Sequence, residues 1–251
     1  MTKKSKKNFT TEHYKDKFSW LDKRGIGGSS AATILGLNHW ASPIELWADI
    51  RKCITFEKLS KEDIQRQQND NEATVRGTMN EPLIRKMFAL DFKDRYKVIE
   101  PKCFTMYRMK DKPYITATLD GLLIDKTTGK KGVLEIKTHD SYTEKDYQEY
   151  WSNKLPDNYY CQILHYLLVR NDCDFAILVA KIRHMKYNPD RAKDEPKDVF
   201  EDIKSQEIKY YYIDRNDKQV QRDIAYLEKK ETEFYEKHIN GNEIPELYLT
   251  L

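Results

Sequence analysis

The stretch Pro113–Thr138, PYITATLDGLLIDKTTGKKGVLEIKT, decides how this chain is read. Apolar runs surround Asp120 and Glu135, and TTGKKG between them supplies a turn. Successive strand residues point to opposite faces, so Glu135 and Lys137 project together while Ile136 points the other way. Paired as a hairpin, the two strands bring Asp120 toward the Glu135/Lys137 face. Two carboxylates and an ammonium then crowd one place. An E-x-K triplet also occurs as the solvated face of a strand. Here, however, Val133, Leu134 and Ile136 flank Glu135, and Leu119, Leu122, Leu123 and Ile124 surround Asp120. Charges in such apolar surroundings are retained when they pair or hold metal. The carboxylates suit a hard divalent cation, and the lysine suits a water that attacks a phosphodiester.

The 251 residues suffice for one good-sized domain or two small ones. With 44 basic and 41 acidic residues the net charge is only +3, so any nucleic-acid contact must come from a local basic surface. No apolar run approaches the roughly 20 residues that span a bilayer. MTKKSKKNFTTEHYKDK has no apolar segment after its charges and so is no secretory signal; residues 1–17 read as a flexible basic arm. Cys53, Cys103, Cys161 and Cys173 form no C-x-x-C pair, which argues against structural zinc or an iron–sulfur cluster. They read as reduced, mostly buried thiols of a cytoplasmic protein.

Residues 18–49 read as helical. Ser29 or Ser30 is the expected N-cap of AATIL, Gly36 its stop, and Ser42-Pro43 the start of the next helix. Residues 57–71 are polar, an exposed helix or a connection. Residues 81–92 read as an amphipathic helix with Leu83, Ile84, Met87, Phe88 and Leu90 on its apolar side. One or two strands follow around Pro101, then the Asp120 and Glu135 strands. Residues 141–155 read as a loop with a short helix, 158–169 as a helix, and 175–182 and 207–213 as strands with a charged loop between them. Residues 217–238 read as a C-terminal helix with Val220, Ile224, Leu227 and Phe234 on one side. The order describes an α/β (α+β) core, a mixed sheet covered by helices.

Five segments together resemble one family. The order of elements and D…E-x-K resemble the PD-(D/E)XK nuclease superfamily. RGIGGSSAATILGLNHWASPIELW (24–47) resembles the opening motif of the YqaJ-type viral recombinases, which include the phage lambda exonuclease. RGTMNEPLIRKMF (76–88), ATLDGLL (117–123), LEIKT (134–138) and NYYCQILHYLLV (158–169) resemble the later motifs, in the family's order. The superfamily's proline before the aspartate is Leu119 here. The resemblance implies one nuclease domain over 18–251, with a helical lobe at 18–75, a restriction-endonuclease-like catalytic core at 76–213 and a C-terminal helix from 214 to 251.

It implies further that Asp120, Glu135 and the backbone carbonyl of Ile136 hold Mg²⁺, with Mn²⁺ as a substitute. Lys137 would orient the attacking water or take its proton, the second role requiring a lowered pKa. Glu81, at the expected start of its helix, would reach the same site; a first-turn glutamate favoured by the helix dipole is the alternative. Gln162 would hold water or a phosphate oxygen, or simply lie on its helix's wet side. Thr118, two residues before Asp120, would share its face. Arg24 with the glycine turn, Ser29 and Ser30 would form a pocket for a 5′-terminal phosphate, although a capped helix after a glycine turn accounts for the same residues. Arg76, His39 and Trp40 would line the DNA path, with a core tryptophan the alternative for Trp40.

The implied activity is 5′→3′ degradation of one strand of linear double-stranded DNA, leaving 3′ tails for recombination. A ring-shaped homotrimer, a single-strand annealing partner and a phage or prophage origin come with it. A PD-(D/E)XK endonuclease and a DNA-binding module without catalysis are the alternatives.

Overall fold

The computed structural model describes residues 7–54, 72–152, 154–186 and 203–246. Its elements are β1 (Phe9–His13), α1 (Lys17–Asp22), α2 (Gly28–Ile34), α3 (Pro43–Ile54), α4 (Glu72–Asp91), β2 (Tyr96–Ile99), β3 (Thr105–Met109), β4 (Thr116–Ala117) and β5 (Gly121–Asp125). They continue with β6 (Lys131–Ser141), α5 (Glu144–Tyr150), α6 (Asp157–Val169), β7 (Phe175–Met185), β8 (Ile203–Asp214) and α7 (Lys218–Phe234), which passes into a π-helical turn at Tyr235–Asn240. The segment read as polar at 57–71 lies outside the described residues, as do residues 187–202 of the charged loop read at 184–202; its first two residues instead continue β7 to Met185.

A five-stranded sheet runs β2-β5-β6-β7-β8. Only β6 and β7 are parallel in it, and α5 and α6 make the crossover that parallel strands require. The expected hairpin joins β5 to β6, with Ile124 opposite Lys131 and Gly121 opposite Leu134. Asp125 fixes its turn by accepting from the amides of Thr127 (3.0 Å) and Thr128 (2.8 Å). Gly129 takes the positive φ of 70° that the turn needs.

Alternation along β6 and β7 sorts their side chains into two cores. Val133, Ala176, Leu178, Ala180 and Ile182 pack with α2, α6 and α7. Leu134, Ile136, Phe175, Ile177 and Val179 pack with Ile84 and Phe88 of α4. Glu135 and Lys137 therefore share the α6 side, and Ile136 faces α4, as the period of two requires. The centre of the sheet tolerates no added bulk. A Cβ on Gly132 would lie 2.3 Å from the Phe175 ring. Gly132→Ala is expected to destabilise by about 1–3 kcal/mol, read as a lowered urea midpoint at unchanged slope.

Several expectations are corrected. Phe9–His13, placed in a flexible arm, pairs antiparallel with Thr105–Met109, and a second, three-stranded sheet runs β1-β3-β4. Asp120 is not inside a strand: it follows the β4 segment of one sheet and immediately precedes β5 of the other. Glu81 does not start a helix. It lies mid-way along α4, beside Pro82, which stands inside the helix. The dipole alternative for Glu81 lapses with the expected start. On α4 only Ile84 and Phe88 of the expected apolar side are buried; Leu83, Met87 and Leu90 are exposed. At roughly 3.6 residues per turn these residues form one broad apolar arc of two neighbouring stripes, and periodicity alone does not say which stripe is covered. Helix α2 begins two to three residues earlier than read, with Gly27 as N-cap and no side-chain capping bond, so neither Ser29 nor Ser30 caps it.

Candidate active site

Beyond Leu134 the β6 strand no longer has β5 beside it. The Ile136 amide, which would otherwise meet a strand partner, donates to Asp120 Oδ2 at 2.7 Å. In an extended strand the N–H and C=O of one residue face the same neighbour. The Ile136 carbonyl therefore also faces Asp120, where an oxygen ligand was expected.

Glu135 is 2 % exposed. Its Oε1 accepts from Gln162 Nε2 at 2.9 Å and lies 2.7 Å from Lys137 Nζ. Its Oε2 is buried and has no hydrogen-bond partner among the described residues. A buried carboxylate oxygen left without a partner is costly, and a hard cation is the group that satisfies it. The donor set offered is two carboxylates and one carbonyl. Among the described residues no three His, Cys, Asp or Glu side chains gather to cage an ion by themselves. Glu81 lines the same cleft but pairs with the buried Arg85, which also reaches Glu100. The structure thus brings Glu81 to the site while holding its carboxylate on an arginine.

Burial, and then the neighbouring Asp120, pushes the Glu135 carboxyl up to about 8. Burial likewise raises Asp120, and burial with the Asp120 charge raises Glu81. Lys137 moves upward as well: desolvation lowers its pKa, but the Glu135 and Asp120 carboxylates outweigh that. With both carboxylates beside it, the amine is held as an ammonium, which orients and donates. A folded pKa raised above the unfolded value contributes stability that is fully present below about 4.5 and is lost as pH rises through about 8. The melting temperature in chelator is expected to fall across that window. Added divalent cation should reverse the fall, and Glu135→Gln should flatten it. A profile unchanged by Glu135→Gln would contradict this assignment.

An open cleft of about 300 Å³ leads to these groups. Arg24, Thr118, Asp120, Glu135, Lys137 and Gln162 line it together with Ile136 and Glu81. Thr118 reaches it from the link between the two sheets, not from a strand face. Arg24 Nη2 lies 3.3 Å from Ser29 Oγ, and its guanidinium packs over the Trp20 ring at 5.4 Å. Ser30 does not line the cleft. Arg76 is not among its lining residues, although the next residue, Gly77, is; Asp140 holds Arg76 at 2.8 Å, while Arg183 grips the same carboxylate. Trp40 lies outside the cleft and is 66 % exposed, so the core alternative for it is wrong.

Two contributors were missed. Tyr166 lines the cleft, and its hydroxyl accepts from Gln162 Nε2 at 2.6 Å. Gln162 and Tyr166 stand four apart on α6, a spacing that puts both on one helix face and was visible in the sequence. Gly28 lets α2 close onto them: a Cβ there would lie 2.6 Å from the Tyr166 ring. Behind the cleft, His165 and Glu231 are wholly buried and meet at 2.6 Å, and His165 Nε2 donates to the Thr116 carbonyl at 2.8 Å.

A family model, the YqaJ-like viral recombinase domain, matches residues 18–173. The uncharacterized protein YqaJ of Bacillus subtilis (strain 168) is 31% identical over 150 residues, which are 59% of this chain and 40% of that relative. The chain thus spans well under half the length of that relative. Among solved structures, an alkaline exonuclease (LHK-Exo) from Laribacter hongkongensis superposes with a TM-score of 0.51 at 16% identity, over 89% of this chain and 98% of its own. A phage related exonuclease from Haemophilus somnus 129PT gives 0.46 at 14% identity, over 87% and 96%. The first of these shows the fold alone, the expected mixed sheet covered by helices.

Proposed function

The chain belongs to the YqaJ-like viral recombinase family, and on that premise we propose that it is a divalent-metal-dependent exonuclease that degrades one strand of linear duplex DNA from its 5′ end. The observation that carries this reading is the buried Glu135 Oε2, without a hydrogen-bond partner among the described residues, on a side chain that lines one cleft with Asp120, Lys137 and Arg24. Asp120, Glu135 and the Ile136 carbonyl are the residues that would hold the cation, Mg²⁺ or in its place Mn²⁺. Bound there, such an ion supplies a water of lowered pKa and counter-charge to the developing phosphorane.

The chain's own residues do the rest. Gln162 donates to Glu135 Oε1 and so fixes that carboxylate in place. The Lys137 ammonium donates to the attacking water or to a non-bridging phosphate oxygen, placing charge where it develops. Hydrolysis adds water across the P–O bond: the oxygen joins phosphorus, and the leaving oxygen departs with a proton. Arg24, backed by Ser29, takes the terminal phosphate through its planar fork of donors, and Thr118 adds a hydroxyl on the same path. A ring of three subunits around the duplex, and a single-strand annealing protein that takes up the 3′ tail, complete the reading by resemblance.

Time-resolved digestion of end-labelled linear duplex tests it. Magnesium should support stepwise release of nucleotides from 5′-phosphorylated ends, chelator should stop it, and closed circular DNA should persist. Rapid nicking of the circle would make the protein an endonuclease. No magnesium-dependent degradation by pure protein would leave a binding module.

A further inference from the structure

The loop between α2 and α3 presents an aromatic group that the cleft does not use. Asn38 pins its start: the side-chain Nδ2 donates to Thr33 Oγ1 at 2.8 Å, and its Oδ1 accepts from the Trp40 amide at 3.0 Å. Ser42 and Glu45 pin its end in a reciprocal capping box, with Ser42 N to Glu45 Oε2 at 2.7 Å and Glu45 N to Ser42 Oγ at 3.3 Å. Between these anchors Trp40 is held with two-thirds of its surface in water. Its ring lies 6.3 Å from that of Tyr150, tilted by 41°. His39 stands edge-on to both, 6.3 Å from Trp40 and 6.0 Å from Tyr150.

This group continues toward the site. Next to Tyr150, the buried Trp151 packs 5.5 Å from Tyr159. Lys137 Nζ lies 5.1 Å over the Tyr159 ring. Tyr150 is near enough to Tyr159 for the charge of one to raise the pKa of the other. The exposed rings are thus tied, through the Tyr150–Trp151 backbone, to the aromatic packing that reaches the ammonium of the candidate active site.

A cleft of about 300 Å³ is of small-ligand size, so a strand enters it unpaired. Separating that strand from its complement forfeits stacking at each freed base. Exposed rings restore it without regard to sequence, because every base has a π face. Resting on the nuclease reading above, we propose that His39, Trp40 and Tyr150 form a stacking shelf for the unpaired bases of a melted DNA end, beside the cleavage cleft.

Fluorescence titration of the full chain in chelator, where nothing is cut, tests this with a ten-nucleotide oligo(dT) and a blunt duplex. Oligo(dT) should quench the emission. Trp40→Ala should weaken its binding about tenfold, and Trp40→Phe should restore most of the loss. In magnesium, Trp40→Ala should slow digestion of blunt duplexes more than of duplexes whose ends are already frayed by mismatches. Unchanged oligo(dT) affinity in Trp40→Ala, or equal slowing of blunt and frayed ends, overturns the shelf. So does loss of self-association with DNA binding intact, which would make the patch a protein contact. A protein that binds oligo(dT) through Trp40 yet cleaves nothing would instead sink the nuclease reading alone.

Discussion

Glu135→Ala is expected to lower DNA cleavage by about a thousandfold or more while leaving duplex binding in calcium near the wild-type value. The expectation follows from the two oxygens of one side chain. Oε1 is occupied by Gln162 and Lys137, and Oε2 is buried without a hydrogen-bond partner among the described residues. Truncation removes the oxygen offered to a cation and also strands the ammonium of Lys137, which is costly in its own right. Glu135→Gln separates the two effects. It keeps the volume and one carbonyl oxygen but removes the charge, so it should fold at least as well as the wild type at pH 8 and cut no better than Glu135→Ala. Cleavage at the wild-type rate by either variant would remove Glu135 from the ligand set.

Arg24→Ala is expected to slow digestion of 5′-phosphorylated ends by about 10- to 100-fold, the worth of a charge-assisted hydrogen bond, and to leave unphosphorylated ends almost unaffected. The guanidinium is exposed at the mouth of the cleft, its Nη2 directed to Ser29 Oγ. It is also enclosed from behind: a Cβ on Gly27 would come within 2.9 Å of it. The fork is thus held in place before any phosphate arrives. Arg24→Lys should recover only part of the rate, because a point charge lacks the planar pair of donors. Because Arg24 is exposed, its loss should hardly move the melting temperature. Equal slowing of both kinds of end would sink the phosphate pocket.

The parts of this structure that could be read in advance are those whose cause is local. The run around Glu135 and the turn TTGKKG sufficed for the hairpin, and the period of two put Glu135 and Lys137 on one face. The apolar density of Ile163–Val169 sufficed for α6. Features that depend on distant partners were not readable. Phe9–His13 is a strand only because Thr105–Met109 lies beside it, and Phe9 alone of its five residues is buried, so no alternation marks it. Asp120 reaches the site from the gap between two sheets, which no periodicity encodes. The Glu-Pro pair at positions 81 and 82 imitates a helix start inside a helix. Trp40 carries no sequence mark that separates a core ring from an exposed one; the difference lies in the Asn38 and Ser42 anchors that hold its loop outward.

An anomalous-difference map from crystals soaked in manganese would locate the cation itself. The account predicts one strong peak bounded by Asp120, Glu135 Oε2 and the Ile136 carbonyl, lost in Glu135→Gln. Fully soaked crystals with no density between those oxygens, or with manganese bound elsewhere on the chain, would contradict it.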